Sequence, residues 1–331
     1  MIRLLETSAP LTSFTDLGMP DDVSHGITEI LAAPQGMLLV TGPTGSGKST
    51  TLYSSLHKLR QASVNIVTVE DPVEYVLAGI NQVHINTKAG LTFVSCLRSI
   101  LRQDPKIIMV GEIRDRETAE IAMKAAQTGH LVLSTLHTND SVSAIVRLLD
   151  LGIPDYLISS SVTGILAHRL VRMLCPCHSL QPATPEFKAR LAQLGAPKPP
   201  TRMAVAVGCD KCNQTGYSGR VGLYELLRVE DSVRAIIRTS GNIDQIRETA
   251  RMNGMRLMQE DALEKVLSGT TTLDEILRVV PMETVTFLEC AKCNHHILPA
   301  FNFYPSCGTR CALKSASSRP RKDDLVAEGV N

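Results

Sequence analysis

The segment GPTGSGKS at residues 42–49 limits the possible folds of this chain more than any other feature. It matches the pattern G-x-x-x-x-G-K-[ST] at every fixed position, and it directly follows the apolar run MLLVT at residues 37–41, which predicts a strand. In such a loop the glycines allow backbone N–H groups to approach phosphates, and the following helix adds its dipole and further donors. The sequence therefore predicts a strand–loop–helix unit that binds phosphate groups, rather than a plain glycine turn.

The side chains of this loop predict a nucleotide and a metal ion as ligands. Lys48 is expected to reach the β and γ phosphates of ATP, and the Ser49 hydroxyl is expected to hold Mg²⁺. The predicted nucleotide-binding residues are Gly42, Pro43, Thr44, Gly45, Ser46, Gly47, Lys48, Ser49 and Thr50, with Asp71 from a later loop.

Short apolar runs alternate with helical patterns between residues 36 and 165. Strands are predicted at 37–41, 65–69, 107–110 and 131–135, and helices at about 49–61, 92–103, 116–127 and 140–151. This alternation predicts an α/β fold with a mostly parallel sheet that is covered on both faces. Ligands of such sheets bind beyond the carboxyl ends of the strands, so the motifs that follow these strands are expected to meet at one edge.

Carboxylates follow two of these strands. The segment VEDPVEY at residues 69–75 brings Glu70, Asp71 and Glu74 into one loop. Beside Mg·ATP such carboxylates can hold metal-bound water or act as bases, although an acidic loop taken alone is just as often a solvated surface. The segment KIIMVGEIRD at 106–115 places Gly111 and Glu112 where many P-loop ATPases carry an aspartate that holds magnesium.

Histidines flank the fourth predicted strand, in the segment GHLVLSTLHTND at residues 129–140. His130 precedes the strand and His137 follows it, and an isolated histidine at such a position is more often a polar core or loop residue than a ligand. Thr135, His137 and Thr138 nevertheless lie where a γ-phosphate sensor is expected. The segment is therefore a candidate part of the same site.

The overall composition argues against several classes of protein. The net charge of the 331 residues is +1, which gives no overall electrostatic case for binding nucleic acid or a membrane. The apolar runs are far shorter than a membrane span, and the N-terminal MIRLLETSAPLTS lacks the basic-then-apolar pattern of a signal peptide. We therefore predict a cytoplasmic protein with no direct membrane span, where disulfides are disfavoured.

Taken together and in this order, four segments resemble the type II secretion and type IV pilus assembly ATPases, the GspE/PilB family. They are the loop at 42–49, VEDPVEY, DPKIIMVGEIRD and TGHLVLSTLHTND. The resemblance runs from about residue 3 to residue 280 and includes HRLVRMLCPC and CDKCNQTGYSGRVGLYELL. It implies a RecA-like core in a homo-hexameric motor that hydrolyses ATP at the cytoplasmic face of the inner membrane, peripheral to it. Such a motor acts on a membrane platform protein of a pilus or secretion machine.

The resemblance also implies roles for single residues. Glu112 would be the Walker B glutamate that orients Mg²⁺ through water, Glu70, Asp71 and Glu74 would form an aspartate box whose glutamates activate the attacking water, and His137 would face the phosphates. Three arginines match family arginines near the site or the neighbouring subunit: Arg98, Arg102 and Arg114. A guanidinium at the phosphates would stabilise charge in the transition state, although each arginine could equally form a structural ion pair.

Eight of the nine cysteines fall into two groups that predict Zn²⁺ sites, whereas Cys96 lies alone in an apolar helical pattern and is predicted to be a buried small side chain. The groups are Cys175, Cys177, Cys209 and Cys212, which match a zinc module of the family, and Cys290, Cys293, Cys307 and Cys311, which resemble a zinc ribbon. Each group has one regular C-x-x-C and one irregular half. Cys177 or His178 could complete the first site, and Cys311, His295 or His296 the second. The alternatives are free thiols in a decayed module and a disordered Cys-rich tail.

The resemblance and the composition together predict five parts of the chain. They are a remnant of an N-terminal domain and its linker at 1–20, the RecA-like ATPase core at 21–170, the Cys-rich zinc module at 171–222, a helical C-terminal subdomain at 223–281 and a possible zinc-ribbon tail at 282–331. Within the module, residues 181–206 contain five prolines and predict a loop or small insertion. Residues 229–280 predict helices.

Family members usually carry further N-terminal domains, one of which covers the nucleotide. We therefore expect a truncated chain whose site is more open to water and turns over slowly. The alternatives to a pilus assembly or secretion motor are a nucleotide-binding subunit with little independent turnover, a pilus retraction ATPase and a P-loop nucleic-acid translocase. Retraction ATPases typically lack the zinc module, and the near-neutral charge argues against a translocase.

Overall fold

The computed structural model describes residues 13–196, 198–239, 242–282, 288–289, 296–297 and 307. Three of the cysteines in the predicted tail site, Cys290, Cys293 and Cys311, therefore lie outside the described residues, as does His295. That predicted site stays a prediction.

The described residues form eleven helices and eleven strands. The helices are α1 (Asp21–Ala32), α2 (Lys48–Leu59), α3 (Phe93–Ile100), α4 (Arg116–Gln127), α5 (Ser141–Asp150), α6 (Asp155–Ser161), α7 (Pro185–Gln193), α8 (Asp231–Thr239), α9 (Ile243–Met252), α10 (Met258–Leu267) and α11 (Leu273–Val279). The strands are β1 (Gly36–Thr41), β2 (Ile66–Glu70), β3 (Asn81–His84), β4 (Ile107–Val110), β5 (Leu131–Leu136), β6 (Val162–Leu174), β7 (Ser179–Pro182), β8 (Arg202–Val205), β9 (Tyr217–Arg228), β10 (Leu288–Glu289) and β11 (His296–Ile297).

Seven strands form the central sheet in the order β3-β2-β4-β5-β1-β6-β9. All neighbours are parallel except β6 and β9, which are antiparallel. The predicted α/β fold with a mostly parallel sheet is therefore confirmed. The register pairs Val69 with Val110, Val110 with Ser134 and Val40 with Thr135, so the carboxyl ends of β2, β4, β5 and β1 lie side by side.

Helices cover both faces of the sheet because its central strands carry apolar side chains in both directions. Along β1, Met37 and Leu39 belong to a core shared with α3, α4 and α5, whereas Leu38 and Val40 belong to a core shared with α1 and α2. This is the reason that the strand reads as a continuous apolar run rather than an alternating one. The lone Cys96 is buried in the first of these cores, as predicted.

The two longest strands, β6 and β9, were not predicted as strands. Their sequences mix charged and apolar residues, because about half of each strand extends past β1 and is more exposed. The two strands pair with each other from Gly164–Arg228 to Leu174–Tyr217, and from His168–Tyr224 onwards, past the last residue paired with β1, they form a two-stranded ribbon. A third core beside the ribbon packs its Val171 and Leu223 against α7, α10 and α11.

Of the two alternatives predicted for the proline-rich segment at 181–206, a loop or a small insertion, the structure shows regular elements rather than a loop. β7 and β8 pair as an antiparallel ladder, and α7 lies between them. The Thr184 hydroxyl accepts a hydrogen bond from the N–H of Phe187 and caps α7, and Pro185 occupies its first turn, where proline starts a helix rather than breaking it. The helices predicted within 229–280 are confirmed as α8 to α11.

Candidate active site

The P-loop connects β1 to α2 and ends in the left-handed conformation at Gly47, with φ of 96°. This conformation favours glycine, and it places Lys48 in the first turn of α2. The Lys48 ammonium donates hydrogen bonds to the carbonyl oxygens of Gly42 at 2.8 Å and Pro43 at 3.0 Å. Burial lowers the pKa of Lys48, and the nearby Glu112 carboxylate opposes that shift. The loop therefore presents a half-buried positive charge, which is the setting that a phosphate requires.

Glu112 lies two residues beyond β4, and its side chain is 15% exposed. One carboxylate oxygen forms an ion pair with Arg114, and the other lies 3.6 Å from Nε2 of His137. Burial and then the charge of Lys48 lower the pKa of His137, whereas Glu112 raises it. The structure therefore brings Lys48, Glu112, Arg114 and His137 into one electrostatic cluster, which we call the charged cluster.

Glu70 ends β2 and is 4% exposed. Its carboxylate accepts hydrogen bonds from the Tyr53 hydroxyl, from the Thr68 hydroxyl at 2.5 Å and from the Gln82 amide at 3.1 Å. The Tyr53 hydroxyl in turn accepts from the backbone N–H of Glu74 at 3.3 Å. Burial, and then the hydrogen bond to Glu70, raise the pKa of Tyr53. The aspartate-box loop is thus fastened to α2 through Tyr53 and to β3 through Gln82.

The other two predicted residues of the aspartate box are less buried than Glu70. Asp71 is exposed and contributes to the electrostatic field that raises the pKa of Arg114. Glu74 is half-buried in the same loop. The structure thus places Asp71 on the side of the charged cluster and Glu70 on the side of α2.

Arg98 and Arg102 have intrachain partners outside the charged cluster. Arg98 donates to Glu117 at 2.6 Å, and both side chains are more than half exposed. Arg102 donates to the carbonyl oxygen of Arg98 at 2.8 Å. Of the three predicted arginines, Arg114 is therefore the one that the structure places at Glu112.

The hydroxyls of the histidine segment join neighbouring strand ends. Thr135 donates to the Gly111 carbonyl at 2.7 Å, which ties β5 to the turn that carries Glu112. Thr138 lies 2.7 Å from the Thr41 hydroxyl, and its N–H donates to that hydroxyl at 2.9 Å. His130 instead places Nδ1 3.0 Å from the Ala125 carbonyl, at the other end of β5. These contacts fix the loop that presents His137.

Four cysteines meet at the far end of the ribbon formed by β6 and β9. The sulfur atoms of Cys175, Cys177, Cys209 and Cys212 all lie within 4.8 Å of one another. Three of their separations are 3.9, 3.9 and 3.7 Å. Zn–S bonds of about 2.3 Å in a tetrahedron place sulfur atoms about 3.8 Å apart, so the four residues fit a zinc ion. We call this group the cysteine cluster.

Backbone hydrogen bonds prepare the cysteine cluster for a cation. The Cys212 sulfur accepts from the N–H groups of Cys209 at 3.1 Å and Gly216 at 3.3 Å. Burial acts to raise the pKa of this thiol, but these two bonds, together with the thiols of Cys209 and Cys177, outweigh it and lower the pKa to about 6. His178 places Nδ1 3.0 Å from the Cys175 carbonyl, so Cys177 rather than His178 is the fourth member.

Comparison with known proteins shows the family of this chain. The family model described as "Type II/IV secretion system protein" matches residues 1–278. The chain belongs to this family. The predicted resemblance is therefore confirmed, and so is the prediction of a secretion and pilus assembly ATPase family, whose members use nucleotide and Mg²⁺.

Individual relatives of this secretion ATPase family show the extent of the match. The type II secretion system protein HxcR of Pseudomonas aeruginosa is 49% identical over 279 residues, which are 84% of this chain and 56% of HxcR. The type IV pilus assembly ATPase PilB of Thermus thermophilus is 46% identical over 278 residues, 84% of this chain and 31% of PilB. The chain thus spans about half or less of the length of these relatives. The crystal structure of the pilus retraction motor PilT with bound ADP is 30% identical, with a TM-score of 0.62, over 83% of this chain and 68% of PilT.

Several residues that shape the site in this family member were missed by sequence reasoning. Tyr53 and Gln82, which hold Glu70, lie outside every motif, and Gln82 comes from a strand that was not predicted. His168, which lies under the P-loop, begins the segment HRLVRMLCPC, which was used for the family resemblance and for its cysteines but not for the nucleotide site. Over the part of the chain that the structure describes, every helix is too short or too polar to pass through a bilayer.

Proposed function

We propose that this chain is an ATP-hydrolysing motor subunit of a type IV pilus assembly or type II secretion machine. The observation that carries the proposal is the charged cluster at the carboxyl ends of adjacent strands. It joins the P-loop after β1, the glutamate after β4 and the histidine after β5. Membership of the secretion ATPase family supports the same reaction.

In this proposal the P-loop amides and Lys48 bind the phosphates of ATP, and Ser49 binds Mg²⁺ directly. Glu112 orients the metal through water, and Mg²⁺ when bound neutralises charge on the β and γ phosphates. The aspartate-box glutamates Glu70 and Glu74 activate the attacking water. Arg114 and His137 stabilise negative charge on the γ phosphate as it is transferred, with Arg98 available to a neighbouring subunit.

The proposed assembly is a homo-hexamer that works on an inner-membrane platform protein from the cytoplasmic side. Relatives named as type II secretion and type IV pilus assembly proteins support this setting. The cysteine cluster supports an assembly or secretion role rather than pilus retraction, since retraction ATPases typically lack it. The predicted division of the chain into an ATPase core, a cysteine module and a helical C-terminal subdomain belongs to the same proposal.

Glu112→Gln tests the catalytic part of the proposal. It removes the charge that orients Mg²⁺, so we expect steady-state ATP hydrolysis to fall at least about a hundredfold while ATP still binds. Glu120→Gln is the matched control, because Glu120 also pairs with an arginine, Arg116, but lies on the outer surface of α4. Hydrolysis by Glu112→Gln at the rate of the unchanged protein would show that the assignment is wrong.

We also propose that the cysteine cluster holds one Zn²⁺. Its four thiol groups have tetrahedral spacing, and backbone donors favour the thiolate at Cys212. Cys209→Ser should reduce the zinc content, measured by atomic emission, by one ion per chain relative to the unchanged protein. Cys96→Ser is the control, because Cys96 is buried in the ATPase core, and it should leave the zinc content unchanged. Equal zinc in all three proteins would contradict the site.

A second candidate is a nucleotide-binding subunit with little turnover of its own. The observation in its favour is that both oxygens of Glu112 already face side-chain nitrogens, those of Arg114 and His137, which compete with metal-bound water for the carboxylate. ATP binding without hydrolysis at every protein concentration up to that of hexamer formation would favour it. DNA-stimulated hydrolysis would instead indicate a nucleic-acid translocase.

A further inference from the structure

His168 lies directly beneath the P-loop, although the segment HRLVRMLCPC, which it begins, was assigned no role at the nucleotide. A Cβ atom added at Gly42 would lie 2.3 Å from the carbonyl oxygen of His168, and one added at Gly47 would lie 2.7 Å from Cε1 of its ring. Both separations are too short for a real Cβ atom, so the backbone at each glycine is in direct contact with His168. One residue of β6 therefore touches the P-loop at its first and last glycines.

The ring of His168 stacks on Tyr224, its partner across the antiparallel ladder of β6 and β9. The two ring centres are 4.7 Å apart, and the planes differ by 13°. The Tyr224 hydroxyl donates to the Leu17 carbonyl at 3.0 Å, in the segment before α1. Tyr224 thus connects the ring under the P-loop with the start of the described chain.

The stack continues into the C-terminal helices. The Lys265 ammonium of α10 lies 5.3 Å from the centre of the Tyr224 ring and donates to Asp261 at 2.7 Å. Asp261 also accepts from the backbone N–H of Tyr224 at 2.8 Å. We call Gly47, His168, Tyr224 and Lys265 the stacked column, since it runs without a gap from the P-loop to α10.

Packing alone does not account for a histidine at this position. His168 is 2% exposed, and among the described residues neither ring nitrogen has a hydrogen-bond partner. Burial, with smaller contributions from Lys48 and Lys265, lowers the pKa of His168 to about 3, so the ring is neutral in the cell. Buried polar atoms without partners destabilise a fold, and an apolar side chain of similar size would avoid that cost. The flat neutral ring therefore points to a role at the loop that it touches.

We propose that His168 is a positioning residue of the nucleotide site. Its ring sets the shape of the P-loop at Gly47, while its backbone carbonyl lies against Gly42. The stacked column couples the loop at Gly47 to α10 and to the segment at Leu17. The proposal rests on the proposed function only in requiring that the P-loop bind a nucleotide. Movement of the loop on nucleotide binding then displaces the C-terminal helices, and movement of those helices changes nucleotide affinity.

A double-mutant cycle on the full chain tests this coupling, with the Kd for Mg·ADP measured by titration of a fluorescent ADP analogue. His168→Leu keeps the volume but removes the flat ring, and Tyr224→Leu removes the ring on which it stacks. We expect each to raise the Kd about tenfold, and the double variant to raise it to about the same extent, because the two residues act as one unit. Tyr217→Leu is the matched control. It lies on the same strand and its hydroxyl contacts Thr272 at 2.8 Å, outside the stacked column, so the Kd should change less than about threefold.

The outcomes separate this inference from the proposed function. Unchanged affinity in both single variants, or a double variant whose Kd rises by the product of the two single effects, would overturn the positioning role. If the unchanged protein fails to bind Mg·ADP, the proposed function itself is wrong. Should His168→Leu fail to fold, Tyr224→Leu removes the same stack from β9, and its Kd alone decides between the two results.

Discussion

The charged cluster and the cysteine cluster are built in opposite ways. The charged cluster takes its residues from loops that are far apart in sequence, and only the order of strands in the parallel sheet brings them together. The cysteine cluster takes its four residues from two short segments at one end of a ribbon, with backbone N–H groups already directed at the Cys212 sulfur. Substitution of a side chain in the charged cluster is therefore expected to reduce activity, and substitution of a side chain in the cysteine cluster is expected to weaken local folding.

Lys48→Ala should give the largest effect and should affect the charged cluster alone. Loss of the ammonium removes the main positive charge at the phosphates, so ATP hydrolysis should fall at least about a hundredfold. The midpoint of thermal unfolding should shift by less than about 2 °C, because Lys48 is half-buried and belongs to none of the three cores. Lys58→Ala, on the last turn of the same helix, is the control. A large loss of stability in Lys48→Ala would contradict the separation of the two regions.

Removal of zinc from the cysteine cluster should have the reverse effect of Lys48→Ala: local folding is lost and nucleotide binding is kept. Structural zinc supplies folding free energy directly, so treatment with a chelator should expose the segment 175–216 to limited proteolysis. The Kd for Mg·ADP should change by less than about threefold, since the P-loop contacts β6 at His168, in the middle of the strand, whereas the cysteine cluster lies beyond Leu174 at its end. Cleavage that begins instead in the ATPase core would show that the cysteine cluster supports the whole fold.

Within the nucleotide site, Glu70 and Glu74 of the aspartate-box loop can be compared by their effects on stability. Glu70→Ala leaves the Tyr53, Thr68 and Gln82 donors without their acceptor, so the free energy of unfolding should fall by about 3 kcal/mol. Glu74→Ala, at a half-buried position of the same loop, should cost less than about 1 kcal/mol. Urea denaturation of both variants measures the difference. Equal losses would mean that the Glu70 network contributes nothing particular.

The pH dependence of stability provides a smaller test. Burial lowers the pKa of His168 in the folded chain to about 3, well below the ordinary histidine value of 6.5, so the unfolded chain binds the proton more readily. This contribution to stability is complete above about pH 6.5 and declines as the pH falls towards 3, by roughly 1 kcal/mol per pH unit. Urea denaturation at pH 7, 6 and 5 should therefore show a weaker pH dependence for His168→Leu than for the unchanged protein. Parallel curves would contradict the buried neutral ring.

The smallest expected effect concerns Arg98. Its ion pair with Glu117 is exposed on both sides, and such pairs contribute about 0–1 kcal/mol. Arg98→Ala and Glu117→Ala should therefore have nearly equal, small effects on stability. A loss of ATP hydrolysis in Arg98→Ala alone, present only at protein concentrations that support oligomers, would assign Arg98 to the site of a neighbouring subunit.

The sequence predicted the parts of the molecule that have strong local signals. β4 and α4 were placed at the bounds that the structure shows, because a continuous apolar run and a regular helical pattern each report burial directly. The motifs and the family resemblance also identified Lys48, Glu112, Arg114 and His137 as residues of the nucleotide site. The contacts themselves depend on the order of strands in the sheet, which local patterns do not specify.

Features that depend on distant pairing could not be predicted in the same way. β6 and β9 each carry a mixed pattern because one half is buried in the sheet and the other half is not. The partners of Glu70 and the contact of His168 with two glycines arise only when such strands are in place. The irregular spacing of Cys175 and Cys177 left His178 as an alternative ligand, and only the local backbone conformation distinguishes the two.

β6 passes under the P-loop at His168 and ends next to the cysteine cluster, and this gives it the geometry of a lever arm. The seven residues from His168 to Leu174 make six steps of ~3.3 Å, which span about 20 Å. A tilt of about 10° at the nucleotide end would then move the far tip by roughly 3 Å, a displacement of the size seen in switching proteins. A small tilt of β6 at the phosphates would thus produce a larger displacement at the opposite end of the ribbon.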